Sequence, residues 1–236
     1  MRVQLIGGCM LLVLTGLASG QGPAEPKPLL TKPGKLLFSE DFREVPHERD
    51  KKDKTKGGWM SGKGRWEIKE GVLVGAEKLE EKHGAMLTKP RLAFHDAAVQ
   101  ISFRLDGARA ITLDVNSFAM GRIIAVTVTS TSLKLSRSLA GGDKMEVLDT
   151  MPLKLEPGTW HILLLEMQGK EVVASIDGKD IAFGAGERID VGKTSVQLRV
   201  GGESAAFKDL RVHEATLCDT WAATKAKLLE ARKAPK

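Results

Sequence analysis

The side chains that could carry chemistry are few and scattered. Two carboxylates that flank a glycosidic bond need a fixed separation. The nearest string, Glu48-Arg49-Asp50-Lys51-Lys52-Asp53, falls in a stretch of dense mixed charge that offers no rigid support. There is no Gly-x-Ser-x-Gly elbow, no His-Glu-x-x-His pair and no paired-cysteine spacing, so neither a serine nucleophile nor a zinc site has a basis here. No catalytic residue is assigned. Of the histidines, His161 follows Trp160 in a strand pattern and reads as an edge or core residue satisfied by backbone. Cys9 lies in an N-terminal apolar run, which leaves Cys218 without a partner and reads as a passive thiol.

Oxygen ligands are more numerous. Asp106, Asp114, Asp177 and Asp180 could contribute to a calcium site among loops. Turn formation accounts equally well for Asp106 and Asp177, so no metal site and no cofactor is assigned, with calcium the one ion the pattern allows. Binding a sugar asks for an aromatic face against the apolar side of the ring and planar polar groups for its hydroxyls. Trp59 fits the first need, because Gly57, Gly58, Ser61 and Gly62 around it imply an open, tightly turning loop. Trp66 and Trp160 fall within strand patterns and are expected in the core. Gln100, Arg104, Thr112, Asp114, Asn116, Gln197 and Arg199 are the polar members of alternating segments and could pave one sheet face. The candidate binding set is Trp59, Gln100, Arg104, Asp114, Asn116 and Arg199.

Strands must position these residues. Val99, Ile101, Phe103 and Leu105 alternate with Gln100, Ser102 and Arg104, and Ile111, Leu113 and Val115 with Thr112, Asp114 and Asn116. A period of two puts each set on its own side of a sheet. Further strands are expected over 66–69, 72–76, 123–129, 133–137, 146–150, 160–167, 172–177, 196–200 and 207–213. The gaps carry turn residues, among them Glu70-Gly71, Asp106-Gly107, Gly141-Gly142, Gln168-Gly169 and Asp177-Gly178, which favour antiparallel neighbours. The run Ile162-Leu163-Leu164-Leu165 breaks alternation, so both faces of that strand should be covered. About a dozen strands with one helix predict an all-β fold, a sandwich of two antiparallel sheets.

The ends differ in character from the middle. Residues 1–20 read as a signal peptide: Arg2 supplies the charge, Leu11 to Leu17 the apolar centre, and Ala18-Ser19-Gly20 the small residues before a cut near Gly20. Secretion or a periplasmic location follows as an expectation, with no membrane span left in the mature chain. Residues 21–35 hold Pro23, Pro26, Pro28 and Pro33 and read as a linker, the sandwich occupies 36–216, and 217–236 form a basic helix and tail. Trp221, Leu228 and Leu229 share roughly one helical face and should dock on the sandwich. The formal net charge is +6, but the surplus gathers in the tail, where Lys225, Lys227, Arg232, Lys233 and Lys236 face only Asp219 and Glu230. Nucleic-acid binding, which wants bases spread along one face between stacking aromatics, is not expected. Oligomeric state is left open.

Several segments occur in a telling order. Leu37-Phe38 and Asp41-Phe42 precede Gly64-Arg65-Trp66, which leads into Glu70-Gly71-Val72-Leu73-Val74-Gly75. Pro157-Gly158-Thr159-Trp160 and Asp177-Gly178 follow, then Gln197-Leu198 and Phe207-Lys208-Asp209-Leu210-Arg211-Val212. Over 36–214 this order resembles the 3-keto-disaccharide hydrolase family. The resemblance implies a concanavalin A-like jelly roll and, by extension, cleavage of 3-keto-glycosides. The chain departs from the family pattern in having Trp160-His161 for Trp-Asn and Asp177-Gly178 for Asn-Gly. Residues 108–128 lack the family's Asn-Ser-Gly turn and polar stretch, and Asn116 is the sole asparagine of the chain. The expected function is therefore an exported carbohydrate-binding module. Hydrolysis of 3-keto-disaccharides is the first alternative, and a structural or protein-binding sandwich the second.

Overall fold

The computed structural model describes residues 25–42, 58–139 and 144–233. The expected signal peptide, the first part of the expected linker, the mixed-charge stretch 43–56 and the expected turn at Gly141-Gly142 lie outside the described residues.

Two antiparallel sheets make up the body. The first runs β13 (Asp180–Ala185), β12 (Glu171–Ile176), β11 (Trp160–Gln168), β6 (Ala97–Leu105), β15 (Ala205–Leu217), β4 (Val72–Ala76) and β3 (Arg65–Lys69), with β1 (Thr31–Glu40) also paired to β15 as its eighth strand. The second runs β10 (Met145–Pro152), β9 (Ser132–Ser138), β8 (Gly121–Val128), β7 (Ala108–Ser117), β14 (Ser195–Gly202), β5 (Ala85–Lys89) and β2 (Met60–Lys63), seven strands in all. The expected all-β sandwich with one C-terminal helix, α1 (Trp221–Lys233), is what the chain forms.

The alternating residues meet between the sheets. Val99, Ile101, Phe103 and Phe207 from one sheet pack with Leu113, Val115, Ile124 and Leu198 from the other in a single fully buried cluster. Hairpin chemistry holds the register. Glu70 and Gly71 take φ of 51° and 76°, the paired positive values a two-residue antiparallel turn demands, and Asp177 and Gly178 take 51° and 68° in the three-residue turn between Ile176 and its partner Asp180.

Four strands were not expected: β1, β2, β5 and β13. β1 corrects the boundary at residue 36, because Thr31, Lys32 and Pro33 of the expected linker already pair with Leu217, Thr216 and Ala215 of β15. Pro33 is tolerated because β1 is an edge strand and needs no donor on its free side. In β15, Asp209 has φ of 53° and the register shifts between Lys208 and Arg211, so the strand lies beside β4 before the bulge and beside β1 after it.

The outer face of the eight-stranded sheet is covered. Leu164 is 2% exposed on that side, beneath Pro26, Pro28 and Pro33. Trp221 of α1 buries itself with Leu30, Val173 and Phe183, and Leu228 packs against the same group. The expected double burial of the 162–165 run is met by these two chain ends. Leu229, expected on the docked face, stays exposed.

Candidate functional site

Paired residues on neighbouring strands point to the same side, so the register defines the outer face of the seven-stranded sheet. One row across it is Met60, Thr88, Gln197, Asp114, Ala125, Ser136 and Val147. The next is Lys63, Met86, Arg199, Thr112, Thr127, Lys134 and Thr150. A shorter third row holds Ser195, Asn116 and Arg122.

Asp114 stands in the middle of this surface and is fully buried beneath two arginines. Arg122 Nε lies 3.1 Å from Asp114 Oδ1 and Arg199 Nη1 3.7 Å from Oδ2. Neither contact is an aligned hydrogen bond, and both carboxylate oxygens lack a donor among the described residues. Burial therefore dominates, pushing the Asp114 carboxyl up to about 6 against the downward pull of Arg122 and then Arg199. Smaller hydrogen bonds order the surroundings: Gln197 Nε2 donates to Thr88 Oγ1 at 2.7 Å, Asn116 Nδ2 to Ser195 Oγ at 3.3 Å, and Thr112 and Thr127 share one at 3.2 Å.

Asp114, Asn116 and Arg199 of the expected binding set thus come together. The other three do not. Gln100 and Arg104 sit on β6, on the covered side of the opposite sheet. Gln100 borders a hollow of about 340 Å³ beneath Glu25 and Pro26, and Arg104 is held by a two-pronged bond to Asp106 at 2.8 and 2.9 Å. Trp59 is 3% exposed, its ring among Phe38 and Phe42 and its Nε1 donating to Glu40 at 3.2 Å. The glycines beside it suggested a loop, but the indole is a core plug rather than a platform. Trp160 errs the other way: it is only half-buried, with Arg104 and Lys208 against its ring at 5.0 and 4.5 Å.

His161 is bonded through Nδ1 to the Asp177 carboxylate at 2.7 Å, not to backbone, and Asp177 also accepts the Ile162 amide at 2.8 Å. Asp106 and Asp177 are so engaged in separate places, and among the described residues no group of three or more His, Cys, Asp or Glu is placed to hold a metal ion.

Besides the residues of the unexpected strands β2 and β5, Arg122 and Phe118 escaped the sequence. Counting back from Ile124 in steps of two places Arg122 on the core side. A bulge sets Val115 opposite Ile124 but Asn116 opposite Arg122, and that turns the arginine outward. Phe118, in the turn between β7 and β8, is 95% exposed beside this row. No periodicity could have marked either residue.

The same layout of sheets recurs in solved proteins. A carbohydrate-binding module, CBM66 from Bacillus subtilis, superposes with a TM-score of 0.56 at 13% identity, covering 68% of this chain and 98% of that one. The fold is a concanavalin A-like jelly roll. A Bacillus subtilis protein of unknown function with a galectin-like fold matches at 0.58 and 14%, covering 80% of this jelly roll's chain and all of the other. A Bacillus licheniformis β-glucanase matches at 0.54 and 8%, over 77% and 99%. No family model and no curated protein sequence matches the chain.

Proposed function

We propose that the chain is an exported jelly-roll module, secreted or periplasmic, that binds carbohydrate on the outer face of its seven-stranded sheet. The observation that carries this reading is the outward set Asp114, Arg122, Arg199, Asn116, Gln197 and Thr88, a field of planar polar groups and hydroxyls on rigid strands. Phe118 at the rim takes the stacking role first given to Trp59. A carbohydrate-binding module and a glucanase share the fold, which supports this reading.

The test is retention on a panel of insoluble and immobilised glycans, comparing wild type with Gln197→Ala and Phe118→Ala. Binding to at least one glycan that weakens about tenfold in either variant is expected. Binding that neither substitution weakens removes the site, and a chain that retains no glycan but captures a stable protein partner favours the structural alternative. Binding is proposed to need no metal, so a chelator should leave retention unchanged.

A second reading, hydrolysis of 3-keto-disaccharides, draws on Asp114. A carboxyl near 6 can hand on a proton close to neutrality. Against it, Asp114 is the sole carboxylate in the three rows, whereas the two-carboxylate route needs a partner about 5–9 Å away. Release of free sugar from a 3-keto-disaccharide, abolished in Asp114→Asn, would establish the enzyme.

A further inference from the structure

Several of the described arginines are paired with acids elsewhere in the molecule. Arg104 is clasped by Asp106, Arg137 Nη2 lies 2.6 Å from Glu146, Arg109 bonds Glu77 at 3.0 Å, and Arg232 is shared between Asp149 and the Ile181 carbonyl. Each has an acid of its own within the molecule. Arg122 and Arg199 share one acid between them: their contacts among the described residues are the approaches to Asp114 at 3.1 and 3.7 Å, and Arg122 Nε is buried without an aligned acceptor.

A guanidinium carries five N–H donors in a planar fork that matches a carboxylate. Arg122 and Arg199 remain 33% and 26% exposed, so their donors reach solvent. They lie over opposite oxygens of Asp114, which holds them within the span of a single carboxylate while neutralising only one of the two charges. Lys63 and Lys134 stand exposed in the flanking row, and no acidic side chain other than Asp114 occurs in the three rows. The face is cationic by placement, independently of the basic tail.

We propose that this surface takes an acidic glycan, with Arg122 and Arg199 forming the paired receptor for a sugar carboxylate. The inference rests on the carbohydrate-binding reading and narrows it to uronate-bearing polymers. Asp114 serves as the positioning residue that holds the forks together, and Lys63 and Lys134 draw the polyanion along the row.

The experiment is affinity electrophoresis of the full chain in gels containing polygalacturonate, a neutral mixed-linkage β-glucan or dextran sulfate. Polygalacturonate should retard the wild type, and Arg199→Gln and Arg122→Gln should each weaken that at least tenfold. Lys227→Gln and Lys233→Gln in α1 should leave it unchanged. Arg199→Lys keeps the charge and loses the fork, so an intermediate affinity is expected and guards against a variant that fails to fold. Retardation by the neutral glucan alone overturns the acidic-glycan inference and leaves carbohydrate binding standing. No retardation in any gel overturns both. Equal retardation by polygalacturonate and dextran sulfate, insensitive to either arginine, reduces the effect to diffuse charge and sinks the proposal. Preference for dextran sulfate that Arg199→Gln abolishes replaces the carboxylate with a sulfate ester.

Discussion

The outer faces of the two sheets each bury one carboxylate, and they treat it in opposite ways. On the eight-stranded sheet Glu166 is fully buried, yet its Oε1 accepts the backbone amides of Leu29, Leu30 and Thr31 at 2.9–3.0 Å and the Thr31 hydroxyl at 2.9 Å. On the seven-stranded sheet Asp114 is as deeply buried and accepts no aligned hydrogen bond among the described residues. Burial raises both carboxyls, but for Glu166 the donors from Leu29, Thr31 and Leu30 work against it. A buried polar group with every partner supplied by its own chain is structure. One left wanting marks where something else is meant to contribute. The same contrast separates the clasped fork of Arg104 from the open forks of Arg122 and Arg199.

Glu166→Ala should give the largest effect. It strands three inward-pointing amides at once and frees the segment that carries Leu30 into the Trp221 cluster, a loss of about 3 kcal/mol or more. Denaturant unfolding should show it, together with early protease cleavage near Pro28. Glycan affinity at temperatures where the variant is folded should not move. A variant as stable as wild type would erase the contrast from the structural side.

Much of this division was legible in the sequence, and the places where it was not share a cause. All eleven expected strands formed, because alternation reports directly which side of a sheet is buried. What alternation cannot report is which of two sheets a strand joins. Gln100 and Asp114 look alike as polar members of adjacent alternating runs, yet β6 and β7 enter different sheets and their polar sides face opposite directions. Arg122 was hidden by a bulge, and Trp59 by glycines that make a turn without exposing the ring. Lys193 shows the same limit. Nothing in Gly192-Lys193-Thr194 hints that its ammonium is buried, donating to the carbonyls of His95, Ile189 and Val191 at 2.7–2.9 Å, with burial drawing it down to about 8.

Titration of Asp114 should sharpen the comparison at intermediate size. Its folded pKa of about 6 lies above the ordinary 3.8, so the native state holds this proton more tightly than the unfolded chain. The sign follows: the contribution of Asp114 to stability is fully present below about pH 4 and is lost as pH rises through 6, by about 1–3 kcal/mol. Asp114→Asn cannot ionise, so the stability of wild type relative to this variant should fall between pH 4 and 7 and level off above. A difference that stays flat from pH 4 to 8 would mean the carboxylate is well satisfied and the two faces are alike.

The smallest effect belongs to Asn116→Ala. The amide makes one long bond to Ser195 at 3.3 Å on a half-buried strand face, so its removal should change stability by no more than about 0.5 kcal/mol. Affinity should respond more than stability if the row of Ser195, Asn116 and Arg122 touches a ligand, since a lost hydrogen bond to a bound sugar weakens it about threefold to tenfold. The ratio of the two effects is therefore the informative quantity. On the eight-stranded face the same pair of measurements on Gln100→Ala, beneath Glu25, should show neither change. Were Gln100→Ala to weaken binding while Asn116→Ala did not, the ligand would belong to the covered sheet and the open forks would need another explanation.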